Sequence, residues 1–188
     1  IQGIHRVGLM PPNGAQSVVD MLRYFYQGNQ LIGVNDVVQL NNIGDFYDNG
    51  QIKVPDPDDE STWEYNYDAN GNLTEDKNKG IFGILYNTQN LPISIQKYDG
   101  LRLEYIYDAT GTKRRQNLYT GMSTISKTTD FIGNIVYENG APAYVNYSDG
   151  RMVLKSNGTW FAEIYLKDHL GNIRVAFCRE NGVIKTRQ

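Results

Sequence analysis

The chain has 188 residues, 40% of them hydrophobic, with 18 basic against 21 acidic side chains and a formal charge of −3. That length buries a core without staples, and the near-even charge argues against nucleic-acid binding, which shows a basic stripe. One cysteine, Cys178, and two histidines, His5 and His169, exclude a disulfide framework, a cysteine-built zinc site and a histidine cage, while the longest mostly apolar run, residues 81–86, is far below the roughly 18 residues of a membrane span.

The unusual part of the composition is 14 Tyr, 19 Gly and 19 Asn. Tyr favours strands, and Gly and Asn favour turns that need positive φ, so the chain reads as short strands joined by tight turns. Residues 1–21 form an N-terminal segment of uncertain structure. It has no apolar signal-peptide core and no initiating Met, so the chain is expected to be a piece of something longer. Val18, Val19, Leu22 and Phe25 sit at helical spacing, yet residues 22–26 also read as a strand leading into Tyr26-Gln27-Gly28-Asn29. The strand reading is favoured for 22–26, and 10–20 stay open. Residues 22–188 then read as one repeat domain, with a single domain over 1–188 as the wider alternative.

The repeat centres on Tyr, then Asp or Asn, then Gly. Its copies are Tyr47-Asp48-Asn49-Gly50, Tyr67-Asp68-Ala69-Asn70-Gly71 and Tyr107-Asp108-Ala109-Thr110-Gly111, with a weaker one at Tyr86-Asn87-Thr88-Gln89-Asn90. Degenerate copies follow at Asp130-Phe131-Ile132-Gly133-Asn134, Tyr147-Ser148-Asp149-Gly150 and Asp168-His169-Leu170-Gly171-Asn172. Positions 48, 68, 87, 108, 130, 149 and 168 are spaced 20, 19, 21, 22, 19 and 19 apart. In each unit an alternating strand comes first. Trp63, Tyr65 and Tyr67 share one face of such a strand, as do Leu103, Tyr105 and Tyr107. A turn and a returning strand follow, which is hairpin grammar. Successive hairpins pair, so an all-β antiparallel sheet of about 20-residue units is expected, with a small β-propeller as the alternative. The open ends of such a sheet are unpaired edges that invite self-association. One insertion breaks the rhythm: residues 55–61, acidic and proline-rich, read as a solvated loop in preference to a calcium loop, because EF-hand spacing is missing.

Tyr65-Asn66-Tyr67-Asp68-Ala69-Asn70-Gly71-Asn72-Leu73 resembles the YD repeat of Rhs proteins, and Tyr105-Ile106-Tyr107-Asp108-Ala109-Thr110-Gly111-Thr112-Lys113 is a second good match. Residues 130–140 resemble a segment common in Bacteroidetes members. Tyr165-Leu166-Lys167-Asp168-His169-Leu170-Gly171-Asn172-Ile173-Arg174 looks like the stretch that precedes the conserved Rhs core. The resemblance spans roughly residues 22–182. It implies a strip of hairpins of the kind that in Rhs proteins, toxin-complex proteins and teneurins spirals into a shell around a toxin, or presents a surface for adhesion. It implies a bacterial, secreted or cell-surface setting. The partners it implies are the remainder of a larger Rhs-like polypeptide or its toxin cargo. The self-cleaving acidic core of toxin-bearing members does not occur before Gln188, and eight or so hairpins are too few to close a large shell.

Little else in the sequence suggests chemistry. Asp168-His169 invites a general-base reading, but the pair falls on the repeat turn and no GxSxG elbow supplies a nucleophile. Asp168 is expected to bond turn amides. Cys178, within an alternating strand, reads as a small buried apolar residue. Asp58 and Asp59 are adjacent, unlike a glycosidase pair. Lys113-Arg114-Arg115 reads as a solvated strand end. Three glycosylation sequons, at Asn72, Asn146 and Asn157, carry little weight in a bacterial setting.

The expectation is a non-enzymatic wall segment without cofactor, metal, nucleic-acid partner or membrane insertion. Its structural motif residues are Tyr26, Tyr47, Asp48, Gly50, Tyr67, Asp68, Gly71, Tyr86, Tyr107, Asp108, Gly111, Asp168 and Gly171. The alternative is a carbohydrate-binding module that stacks Trp63, Tyr65, Tyr105 and Trp160 on sugar rings. Burial of the repeat tyrosines against their neighbours favours the wall; an open aromatic row favours the glycan.

Overall fold

The computed structural model describes residues 3–10, 15–38, 46, 48, 54–121, 123–180 and 182–187. Its strands are β1 (Gly3–Met10), β2 (Ala15–Gln27), β3 (Gln30–Asp36), β4 (Tyr65–Tyr67), β5 (Leu73–Asp76), β6 (Ile81–Tyr86), β7 (Pro92–Lys97) and β8 (Leu101–Tyr107). They continue as β9 (Lys113–Thr120), β10 (Thr124–Ile132), β11 (Ile135–Glu138), β12 (Ala141–Tyr147), β13 (Gly150–Leu154), β14 (Trp160–Lys167), β15 (Ile173–Glu180) and β16 (Val183–Arg187). The fold is all-β and antiparallel, as the Tyr, Gly and Asn content requires. β4 to β16 follow one another in a 13-stranded sheet whose spatial order is the sequence order. That order has no break into four-stranded blades, so the propeller alternative falls away. No helix among the described residues is long and apolar enough to cross a membrane.

The N-terminal residues settle as strands. β2 runs through Val18, Val19, Leu22 and Phe25, so their helical spacing is not realised. β2 pairs with β1 on one side and β3 on the other, and these three strands form a sheet of their own. Cross-strand pairing overrides the local period here: β1 takes the first part of β2 and β3 the last, and these ladders supply backbone partners that a helix would supply within itself.

The chain forms two compact units, Ile1–Arg102 and Leu103–Gln188. In the first, Val19, Ile32, Val34, Trp63, Tyr65 and Ile84 are buried. The acidic loop wraps this core: Pro55 is buried while 56–61 are exposed. Asp56 and Asp59 each accept a hydrogen bond from the amide two residues on, Asp58 and Ser61, and Asp59 caps the 3₁₀ turn Glu60–Thr62.

In the second unit, Val136 and Cys178 are buried. Here the registers sort side chains onto two unlike faces. Trp160, Ala162, Ile164 and Leu166 of β14 lie on one face, opposite Leu154, Met152, Phe177 and Val175 of the neighbouring strands. The other face of the same strands carries Phe161, Glu163 and Tyr165 beside Val153, Arg151 and Cys178. Glu163 is buried there and satisfied, accepting from Arg151 Nε at 2.8 Å and from the Tyr165 hydroxyl at 3.0 Å.

Candidate functional site

The repeated feature that organises this chain is one turn, built several times over. At Asp68, the residue's own amide donates to the Asn72 carbonyl at 2.9 Å, and the Gly71 amide donates back to the Asp68 carbonyl at 2.9 Å. Asp108 with Gly111 and Thr112, and Asp168 with Gly171 and Asn172, repeat both bonds at 2.9–3.0 Å. Asn87 with Asn90 and Leu91 does the same at 3.0 Å. This is a tight turn closed by a left-handed residue, the loop that lets a hairpin keep its strand twist. The left-handed position is Gly71, Gly111 or Gly171 with φ of 83–85°, and Asn90 with φ of 58°. Asn replaces Gly there because its short polar side chain tolerates that region.

The acid is required for a second reason. Asp68 Oδ1 accepts from the amides of Asn70 and Asn72 at 2.9 and 2.8 Å. Asp108 Oδ1 accepts from Thr110 and Thr112 in the same positions, Asp168 Oδ1 from Leu170 and Asn172, and Asn87 Oδ1 from Gln89 and Leu91. The second oxygen takes a cation where one exists: Arg114 Nε on Asp108 at 2.8 Å and Arg174 Nε on Asp168 at 2.9 Å. Bonds that favour the ionised form hold the Asp68, Asp108 and Asp168 carboxyls below the ordinary carboxylate range. Asp108 is brought down to about 2, mainly by the Thr110 hydroxyl and the Thr112 amide. A depressed carboxyl stabilises the fold above its unfolded value and loses that contribution as pH falls through its folded value. The Asp108 contribution is therefore expected to fade between 3.8 and about 2. Carbon-13 NMR of the Asp108 carboxyl should show a midpoint in the low part of that window; a midpoint at the ordinary value would sink this account of the turn.

The residues before Asp68, Asn87 and Asp168 reach back to the previous hairpin. The Tyr67 hydroxyl donates to the Leu31 carbonyl at 2.8 Å, and the Tyr86 hydroxyl to the Leu73 carbonyl at 2.7 Å. At Asp168 the same position is Lys167, and its Nζ donates to the Ser148 carbonyl at 2.7 Å. The tyrosine of the repeat is thus a clasp between neighbours as well as a packing residue.

Not all repeat marks share this geometry. Asp130 lies within β10 and pairs with Arg115 at 2.5 Å, and the chain turns instead at Gly133-Asn134, between partners Ile132 and Ile135. Asp149 sits in a two-residue turn between Tyr147 and Gly150, which places Gly150 inside β13. Tyr26 is 43% exposed beside the Gly28-Asn29 turn of β2 and β3. Asp48 is buried and accepts from the Asp36 amide at 3.1 Å, whereas Tyr47 and Gly50 lie outside the described residues. A further turn carries the same backbone bonds without the acid. The Lys155 amide donates to the Thr159 carbonyl at 2.8 Å, and the Gly158 amide to the Lys155 carbonyl at 2.9 Å. Ser156-Asn157-Gly158 was its signal in the sequence, hidden by the missing Tyr-Asp pair.

The aromatic residues separate into closed and open. Trp63 and Tyr65 are buried at 4% and 8% exposure, and the Trp63 indole donates to the Asp56 carbonyl at 2.9 Å. Tyr105 and Tyr107 are half-buried with ring centroids 6.4 Å apart, and Lys113 Nζ sits 4.1 Å over the Tyr105 ring. Trp160 is 42% exposed. Cys178 is buried at 1%, and His169 is exposed on its turn.

The first unit also holds a cavity of about 530 Å³ walled by Leu31, Phe46, Tyr65, Tyr67 and Leu73, with Asp76, Asn78 and Lys79 at its edge. Asp76 is buried; its carboxylate accepts the Lys79 amide at 2.9 Å and pairs with Lys79 Nζ at 3.2 Å. Beside it, Asn78 donates to Glu64 Oε2 and to the Tyr65 hydroxyl, both at 3.0 Å. Glu64 is also buried and accepts the Val34 amide at 2.8 Å. Burial pushes the Glu64 carboxyl up, and it pushes the Tyr65 phenol up to about 12. No pattern in the sequence marked this cavity, because its lining comes from β3, β4, β5 and residue 46, which meet only on folding. Among the described residues, no group of three or more His, Cys, Asp or Glu is placed to hold a metal ion. A scan of protein-family models and a search of curated proteins found no match for this chain.

Proposed function

We propose that this chain is a non-enzymatic structural segment of a secreted or cell-surface Rhs-like protein, forming a β-sheet wall that encloses a toxin or mediates surface contact. The observation that carries it is the recurring Asp or Asn turn with its backward clasp, which adds strands in sequence order and suits a strip of any length. The apolar face of the second unit adds support. Trp160, Leu166 and Ile173 are 42, 55 and 52% exposed, and an apolar surface of this kind marks a place where another surface rests. In this reading its cover is the remainder of a larger polypeptide or the cargo itself. The closed state of Trp63 and Tyr65, and the lysine over Tyr105, favour the wall over a sugar-stacking row.

A carbohydrate-binding module is the second reading, and Trp160 is the exposed ring that favours it. A glycan-array screen of the purified chain, beside Tyr67→Ala, Tyr107→Ala and Trp160→Ala, separates the two. The wall predicts no saturable glycan binding, loss of about 2 kcal/mol or more in each tyrosine variant, and a folded Trp160 variant. Binding to a defined glycan that a folded Trp160→Ala chain loses would reverse the order of the two readings.

A further inference from the structure

We infer that the cavity walled by Phe46, Tyr65 and Tyr67 and edged by Asp76 is a binding site for a small organic cation with an alkyl- or quaternary-ammonium head. Three aromatic side chains line the space, and the face of an aromatic ring attracts a desolvated cation through its quadrupole. The Asp76 side chain, 3% exposed, supplies a full negative charge at the edge of the same space. Glu64, a second buried acid, accepts a hydrogen bond from Asn78 at the cavity edge, at 3.0 Å. The Asp76 carboxylate already holds the Lys79 ammonium, so a ligand that takes that place must itself bring a cation. The Tyr67 phenol is pushed up by burial and then by the Asp76 charge, and Asp76 and Glu64 both add to the rise at Tyr65.

The chain itself shows which group the carboxylate takes. Lys79 brings an ammonium 3.2 Å from Asp76 Oδ2, on a side chain that is 75% exposed and so can swing into water. A ligand ammonium would replace it without leaving Lys79 buried and unpaired. A volume of about 530 Å³ is in the range of small-molecule sites. The inference stands apart from the wall function, whose test reads glycans and stability.

Calorimetric titration of the full chain with choline, tetramethylammonium and 3,3-dimethylbutan-1-ol, the neutral isostere of choline, tests it. Both cations are expected to bind saturably, and the neutral isostere about tenfold more weakly or worse. Lys79→Met, which removes the resident ammonium, is expected to tighten choline binding about tenfold, a gain that an unfolded variant cannot show. Phe46→Leu is expected to weaken it several-fold. Equal binding of the isostere would reduce the cavity to an apolar hole and overturn the proposal. So would the absence of saturable binding in both the parent chain and Lys79→Met, or cation binding that neither substitution moves.

Discussion

Gly150→Ala is expected to destabilise the second unit by more than about 3 kcal/mol, a large share of the roughly 5–15 kcal/mol that holds a domain folded. Gly150 begins β13 and faces Ile164 of β14. A Cβ at this position would overlap the Glu163 carbonyl oxygen, and would stand 3.0 Å from the Glu163 carbonyl carbon and from Ile164 Cα. All three are backbone atoms, so no rotamer change relieves the overlap; β13 and β14 must part. The parting would also disturb the bond of the Tyr165 amide to the Asp149 carbonyl at 2.8 Å and that of the Tyr147 hydroxyl to the Glu163 carbonyl at 3.3 Å. Gly171→Ala is the control. There φ is +85° and nothing lies within 4 Å of the added carbon, so the cost is only that of a left-handed alanine, about 1–2 kcal/mol. Urea unfolding of both variants gives the comparison. A Gly150→Ala chain as stable as Gly171→Ala would mean that the close approach of the two strands is wrong.

Glu64→Leu is expected to cost about 2–4 kcal/mol, and Glu64→Gln close to nothing at neutral pH. Leucine fills the space but abandons the Val34 amide and the Asn78 side-chain amide, both buried, which Glu64 Oε2 accepts at 2.8 and 3.0 Å. Glutamine keeps an acceptor and drops the buried charge. That charge is unfavourable where it sits, because burial raises the Glu64 carboxyl. A raised carboxyl contributes stability that is full below its unfolded value and is lost as pH rises through its folded value. Glu64 therefore works in the opposite sense to Asp68, Asp108 and Asp168, whose contributions are lost on acidification. Unfolding curves of the parent and Glu64→Gln chains, taken from pH 4 upward, are expected to diverge with the variant gaining as pH rises. Parallel curves would show that Glu64 is not charged against its surroundings.

The turns were the most legible feature of the chain, since every bond in them is local. Asp68 needs only the amides two and four residues on, and Gly71 only its own φ. Where the spacing was kept but the local bonds were not, the reading slipped. Asp130 keeps the interval and serves as a strand ion pair, and Gly150 keeps the glycine and serves as a crossing point between strands. Neither use can be seen without the opposing strand, because Arg115 and Glu163 are 15 and 13 residues away in sequence. The clasp was half visible. The tyrosines at 67 and 86 suggested packing, but the carbonyl that each hydroxyl finds belongs to the previous hairpin.

By itself the sequence determined that this is an all-β chain of antiparallel hairpins and where the turns marked by Asp or Asn and Gly fall, at 28, 71, 90, 111 and 171 among others. Alternation of side chains and left-handed φ are properties of a few consecutive residues, and they need no distant partner. Only the tertiary structure decided that β1–β3 form their own sheet and that Trp63 and Tyr65 are closed while Trp160 is open. It also decided that acids at 36, 48, 64 and 76 are buried in the first unit. Burial and pairing depend on which strands meet. A buried acid needs partners: Asp76 finds them in its own turn at Lys79, whereas Glu64 depends on Val34 and Asn78, which other segments bring.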